Sequence, residues 1–227
     1  MPAAQTVTEV VEQVIVRTAT EREKAVALHD YVRECVKFGY NKYFDAAEPD
    51  YTLACGIGHC NPKSRLMVAL FRAIGLESYQ HFVVLRKDIL KGVFRSSRYW
   101  MIPAELSHGY VEVKVEGTWC EIDSHIIDTP FLKAAQARLA TEGRYLGYGV
   151  RADSTNIWDG QRNAFSQFDQ SLMIEDHGRV DDIEAYFQSR EYRNQVLGLR
   201  FNKLFKLMGD FGVASINAHI EGLRGYY

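Results

Sequence analysis

The chain has 227 residues, with 27 Lys plus Arg against 29 Asp plus Glu, a formal net charge of −2, and 47% hydrophobic residues. This is the profile of a folded globular protein of one domain or two small ones, and it leaves no global attraction to nucleic acid or to an anionic membrane. No apolar run reaches the roughly 18–20 residues of a spanning helix, the start Met1-Pro2-Ala3-Ala4-Gln5 lacks a secretory leader, and four cysteines are too few for a disulfide scaffold; a cytoplasmic protein with reduced thiols is expected.

Val10, Val11, Val14 and Ile15 suggest a helix near 8–17, although β-branched residues weaken the pattern. Thr20-Glu21-Arg22-Glu23 fits a capping box, and Ala25, Leu28, Val32 and Val36 follow at helical spacing, which predicts a helix over 21–36. Residues 39–60 carry turn chemistry: Gly39, Asn41, Pro49-Asp50, Gly56 and Gly58. A helix then starts near Asn61-Pro62 with a stripe of Leu66, Ala69, Leu70 and Ala73, and Gly75 suits its left-handed end. His81–Leu85 reads as a strand. His108–Val115 and Thr118–Asp123 read as a hairpin turning at Glu116-Gly117. Beyond Gly143 the chain looks irregular, with a turn at Trp158-Asp159-Gly160 and helical patterns near 181–190 and 191–208. The expected fold class is α+β.

Cys60 follows a glycine-bearing loop, Gly56-Ile57-Gly58, at the start of a helix, where unpaired N–H groups favour a thiolate. The loop glycines would let backbone approach a substrate closely. Alone, this describes many inert cysteines. The hairpin adds to it. A two-residue turn sets Val115 opposite Thr118 and Tyr110 opposite Asp123, which makes His108 and Asp123 diagonal neighbours on one face. A carboxylate there can fix one imidazole tautomer. The same face sets Glu112 against Glu121 and is expected to be wet, with that pair solvated or served by Lys114. Val111, Val113, Cys120 and Ile122 form the core face.

Gly58-His59-Cys60, with the helix ending Leu70-Phe71-Arg72-Ala73-Ile74-Gly75-Leu76, resembles the transglutaminase-like core. His108-Gly109-Tyr110-Val111-Glu112-Val113, Gly117-Thr118-Trp119 and Asp123 continue the match, and His29-Asp30-Tyr31-Val32 resembles the segment upstream of the nucleophile. The resemblance spans about residues 20–130. It implies a papain-like core, with the nucleophile at a helix N-terminus packed on an antiparallel sheet. It also implies thiol acyl transfer with Cys60 as nucleophile, His108 as base and acid, and Asp123 orienting His108. An oxyanion hole would use the Cys60 N–H and a second donor, for which Asn41, Tyr43 and His59 are candidates. Four residues depart from the family pattern: Ser64 for Ala, Gly109 for Ala, Tyr110 for Trp and Ser124 for Pro. No calcium loop and no cofactor are implied.

Residues 86–107 interrupt the match. Arg95, Arg98 and Trp100 in this insertion are candidates for holding an anionic or aromatic substrate part; a solvated loop is the alternative. Cys55, His59 and Cys60 with His81 or Cys120 lack the paired spacing of a zinc site. Arg200, Lys203 and Lys206 mark one face of a C-terminal helix, along which Leu197, Leu204, Phe205 and Met208 recur, as a packed amphipathic helix or a lid. The expected organisation is a catalytic part over 1–140 and a helical C-terminal extension over 141–227, packed in the same domain. The expected activity is amide or peptide hydrolysis or amine acylation. A biosynthetic enzyme for carrier-bound or small-molecule acyl substrates, or an inactive binding module, are the alternatives. A peptide, amide or other acyl compound is the expected partner, with neither nucleic acid nor membrane, and the oligomeric state is open.

Overall fold

Two helices open on the same device. In the computed structural model, which describes residues 6–15 and 19–225, Thr6 and Glu9 form a capping box at the head of α1 (Val7–Val14), and Thr20 and Glu23 form another at the head of α2 (Glu21–Cys35). Each hydroxyl accepts an N–H three residues on, and each carboxylate accepts the cap N–H. Residues 1–5 and the expected helix tail at 16–17 lie outside the described residues. β1 (Lys37–Phe38) directly precedes the stretch read as turns, which itself holds α3 (Pro49–Cys55) and β2 (Ile57–Gly58). Proline starts α3, and Gly56, at φ +63°, ends it. β1 and β2 pair in parallel, Lys37 with Ile57 and Phe38 with Gly58. This aims the chain into α4 (Cys60–Ala73).

The buried stripe of α4 is Leu66, Met67, Leu70 and Phe71, whereas Ala69 is half-buried and Ala73 exposed. The expected stripe was therefore rotated. Gly75, at φ +86°, closes the end, where the Leu76 N–H reaches the Phe71 carbonyl. β3 (Ser78–Arg86) leads through the short α5 (Ser96–Tyr99) to β4 (Glu105–Val115) and β5 (Thr118–Ile122). Glu116 and Gly117 both have positive φ, +48° and +84°, as a two-residue hairpin turn needs. The register is the expected one: Val115 opposite Thr118, Glu112 opposite Glu121, Val111 opposite Ile122. Val111, Val113, Cys120 and Ile122 are fully buried in one core cluster with Leu28 and Val32 of α2 and Leu66 and Leu70 of α4.

Beyond the hairpin the sequence reading and the structure diverge. Asp128 caps α6 (Thr129–Glu142), with Pro130 in its first turn, where no element was expected. β6 (Leu146–Gly147) and β7 (Val150–Arg151) pair with each other. β8 (Met173–Val180) joins the main antiparallel sheet, whose order is β5-β4-β3-β8. The segment after 140 is therefore not a purely helical extension, because it completes the sheet. α7 (Ile183–Gln188), β9 (Gln195–Val196), β10 (Leu199–Arg200) and α8 (Phe201–Arg224) follow. Instead of a helix over 191–208, α8 starts at Phe201 and bends at Gly209, whose φ of +61° and ψ of −172° no other residue adopts easily. Mixed helices and an antiparallel sheet make the fold α+β.

The C-terminal end of α8 is locked to the core. Arg224 donates to both Asp128 oxygens, at 3.0 and 2.7 Å, and to the Phe38 carbonyl at 2.5 Å, while the Phe38 N–H donates to Asp128 at 2.8 Å. No described helix is long and apolar enough to cross a membrane.

Candidate active site

Cys60 is the first residue of α4. The cap residue His59 is extended and gives no side-chain cap, and the first turn carries no acid. The helix start therefore keeps unsatisfied N–H groups and its positive pole beside the thiol. Cys60 is half-buried on the wall of a cavity of about 610 Å³ that His108 also lines. The preceding glycines do not face this cavity. Gly58 is buried against Lys63 and Thr52, and a Cβ there would stand 2.9 Å from Lys63 Cγ. Its close approach is to the protein itself, not to a substrate.

β4 delivers His108, and Asp123 stands one residue past β5. His108 Nε2 lies 3.4 Å from Asp123 Oδ2. Both are buried, Asp123 completely, so the expectation of a wet face is overturned. The loop 166–168 covers them. Its Ser166, Gln167 and Phe168 N–H groups donate to the Asp123 carboxylate at 2.5, 3.1 and 2.5 Å, and the Ser166 hydroxyl adds a bond at 3.2 Å. Burial pushes the His108 imidazole down. The charge on Cys60, the Asp123 carboxylate 3.4 Å away and the neighbouring Cys60 thiol outweigh it, so the group is pushed up to about 10. The Glu112–Glu121 pair is not served by Lys114, which faces Glu77 at 3.8 Å. Arg179 and His81 bind Glu112 instead, at 2.7 and 2.5 Å.

A second histidine–carboxylate pair flanks Cys60. His59 Nε2 donates to Asp45 Oδ1 at 2.6 Å, while Asp45 Oδ2 accepts from Tyr192 at 2.6 Å and Asn194 at 2.7 Å. The His59 ring lies against Phe44 and Tyr40, with centroids 4.4 and 4.9 Å apart, and its Nδ1 has no partner. Of the three oxyanion candidates, only His59 lines the cavity. Asn41 braces its own loop by accepting the Tyr43 N–H at 3.0 Å, and Tyr43 packs edge-on against Tyr51. Sequence reasoning missed Tyr40, which lines the cavity and whose phenol is raised well above its ordinary range by burial, by the charge on Cys60 and by Asp45. Asn217 of α8 holds its backbone, accepting the Tyr40 N–H and donating to its carbonyl.

The family model for the transglutaminase-like superfamily matches residues 8–124, just over half the chain and the part that builds α4 and the hairpin. The chain belongs to the transglutaminase-like superfamily. No curated protein matches it at a significant level. This superfamily is of thiol-enzyme type, and the four residues read from the sequence as departures from its pattern each sit in a specific contact. The Ser64 hydroxyl donates to the Gly109 carbonyl at 3.0 Å, tying α4 to β4. A Cβ on Gly109 would stand 2.5 Å from Gln80 Nε2 and 2.8 Å from Asn61 Oδ1, so alanine does not fit unless both give way. Tyr110 stacks on His81 at 4.4 Å. The Ser124 hydroxyl bonds Nε2 of the buried His29 at 2.8 Å.

The insertion of this transglutaminase-like chain reaches the cavity with two of the three expected residues, Arg98 and Trp100, and with apolar side chains beside them. Leu90, Phe94, Arg98 and Ile102 line it, and Trp100 sits at its mouth, 82% exposed. Arg95 is exposed and does not line it. Two other basic side chains of the insertion turn elsewhere: Arg86 pairs with Asp88, and Lys87 donates to the Ile102 carbonyl. The zinc alternative finds no support. Cys55 is exposed, Cys120 lies in the core, and no three His, Cys, Asp or Glu side chains gather as metal ligands among the described residues.

Proposed function

We propose that this protein is a cysteine-dependent acyl-transfer enzyme, with Cys60 as nucleophile, His108 as base and acid, and Asp123 as the group that orients His108. One observation carries the reading: a thiol at a helix N-terminus in contact with a buried imidazole held up to about 10. With Nε2 turned to Asp123, Nδ1 is left for the thiol. The proton shared by Cys60 and His108 rests on the imidazole, and Sγ attacks the acyl carbonyl carbon. The C–X bond breaks, X leaves with the proton from His108, and an acyl-enzyme remains. Water or an amine, deprotonated by His108, attacks this thioester; the C–S bond breaks and the thiol is restored. The Cys60 N–H and the Tyr40 phenol, which keeps its proton through the neutral range, are the donors for the oxyanion. Hydrolysis and amine acylation share every step up to the acyl-enzyme, and the reading covers both.

The four cysteines supply the test. Cys35 and Cys55 are more exposed than Cys60, and Cys120 is buried. Partial burial and Glu34 push the Cys35 thiol up. Iodoacetamide at neutral pH is expected to alkylate Cys60 first, despite its poorer access. Alkylation of Cys60 no faster than of Cys35 and Cys55 would remove the poised thiolate and the mechanism with it.

A further inference from the structure

We infer that the cavity beside Cys60 holds a long hydrocarbon chain, so that the acyl donor is a fatty acyl compound rather than a peptide. The inference rests on the acyl-transfer reading above. The cavity's walls carry it. Among the described residues no Asp, Glu or Lys lines the space, and its one arginine, Arg98, is engaged with the Ser215 hydroxyl of α8 at 3.1 Å. The polar lining groups gather at the Cys60 end. Asn194 is bonded to the backbone of Ser107, next to His108, and Gln167 donates its N–H to Asp123. Away from that end the walls are aliphatic and aromatic, supplied by Leu90 and Phe94 of the insertion and by Leu204, Phe205 and Met208 of α8. A peptide would bring an amide N–H and a carbonyl with every residue into a space that offers them no partners. An acyl chain brings one carbonyl, which belongs at Cys60, and a tail that asks only to leave water.

The dimensions agree. At about 30 Å³ per non-hydrogen atom, a cavity of about 610 Å³ admits on the order of twenty atoms, enough for a medium or long chain and its carbonyl head. Its mouth is rimmed by Trp100 and Leu197, 82% and 102% exposed, apolar side chains with no packing role of their own that suit the entry of a hydrocarbon tail. The chemistry balances as ordinary acyl transfer. The Sγ–C bond forms and the C–X bond breaks, X takes the proton from His108, and water then releases the fatty acid.

The test is a chain-length series of p-nitrophenyl esters, from acetate through butyrate, octanoate and decanoate to dodecanoate. Release of nitrophenolate is read beside the intact mass of the Cys60 adduct. Each buried methylene is worth about three- to fourfold, so kcat/KM is expected to rise about a hundredfold from butyrate to octanoate and to go on rising through decanoate and dodecanoate, which the cavity still admits. Leu204→Trp, or Met208→Trp should that variant not fold, is expected to lower the decanoate-to-butyrate ratio at least tenfold. Decanoyl groups presented as an N-acetylcysteamine thioester or as an anilide should leave the same adduct, the faster donor identifying the natural leaving group. Acylation of Cys60 with no dependence on chain length overturns the fatty-acyl inference and leaves the thiol mechanism standing. No adduct with any ester, beyond that of Cys60→Ala, overturns both.

Discussion

Cys60 stands between two histidine–carboxylate pairs that are built in opposite ways. On the sheet side, His108 lies 3.4 Å from Asp123, and three successive backbone N–H groups clamp that carboxylate. On the other side, His59 lies 2.6 Å from Asp45, which is held by the side chains of Tyr192 and Asn194. The first pair is loose at the imidazole and touches the thiol. The second is tight and wedged between aromatic rings. A loose contact leaves an imidazole free to exchange a proton with the thiol. A tight one, braced by residues 147 and 149 positions away along the chain, ties the α4 entrance to the C-terminal segment. Under the proposed mechanism, chemistry falls to the first pair and architecture to the second.

Asp123→Asn tests the first half of that division most severely. An amide cannot accept from all the donors around it, and it favours the wrong imidazole tautomer. We expect kcat/KM to fall about 10³- to 10⁴-fold, the size seen when the equivalent carboxylate is neutralised in triads. Asp45→Asn is expected to act on stability instead. One oxygen is replaced by a donor among three donors, which leaves at least one buried group unpaired at a cost of about 1–3 kcal/mol. A urea midpoint shift of that size, with less than tenfold loss in kcat, sustains the division. A kcat loss equal to that of Asp123→Asn would make His59 a participant in the chemistry.

Titration sharpens the same contrast. Unfolded His108 titrates near 6.5 and the folded group near 10, so its contribution to stability is complete below about 6.5 and is lost as pH rises toward about 10. Lys63 runs the other way. Burial lowers it to about 7, and Asp128 only partly restores it, so the unfolded chain binds the extra proton between about 7 and 10.5, and stability rises with pH there. The two slopes, at most about 1.4 kcal/mol per pH unit each, oppose one another in the wild type. Removing one by His108→Gln is expected to leave a urea midpoint that climbs from neutral pH toward 10, while that of the wild type stays flatter. Parallel curves would mean that folded His108 is neutral.

The sheet side was legible in the sequence because its partners are close in the chain. Glu116-Gly117 permits one tight turn, and that turn sets the register which brings His108 near Asp123. Thr20 and Glu23 likewise announced α2 from four residues. The other side was not legible. Nothing local in Asp45 points to Tyr192 or Asn194. β8 is an edge strand carrying Glu175, Asp176 and Arg179, so it lacks the apolar alternation by which strands are recognised. α6 carries a local signal of its own, Asp128 as cap with Pro130 two residues on. The burial of His108 and Asp123 was missed for a related reason: the loop that covers them, Ser166 to Phe168, comes from beyond the matched segment.

The smallest expected effects distinguish Arg95 from Arg98 in the insertion. Arg95 is exposed and off the cavity, so Arg95→Ala is expected to change KM less than twofold. Arg98 lines the cavity and bonds Ser215, joining the insertion to α8 across the space between them. One such bond is worth about 0.5–1.5 kcal/mol, so Arg98→Ala is expected to raise KM about two- to tenfold with kcat little changed, because the wall loosens while the groups around Cys60 stay in place. If Arg98 instead held an anionic substrate, adding a terminal carboxylate to the acyl chain would improve binding to the wild type, and Arg98→Ala would abolish that gain. An apolar wall predicts the reverse, with the carboxylate weakening binding in both proteins, since Arg98 contributes by closing the cavity rather than by its charge.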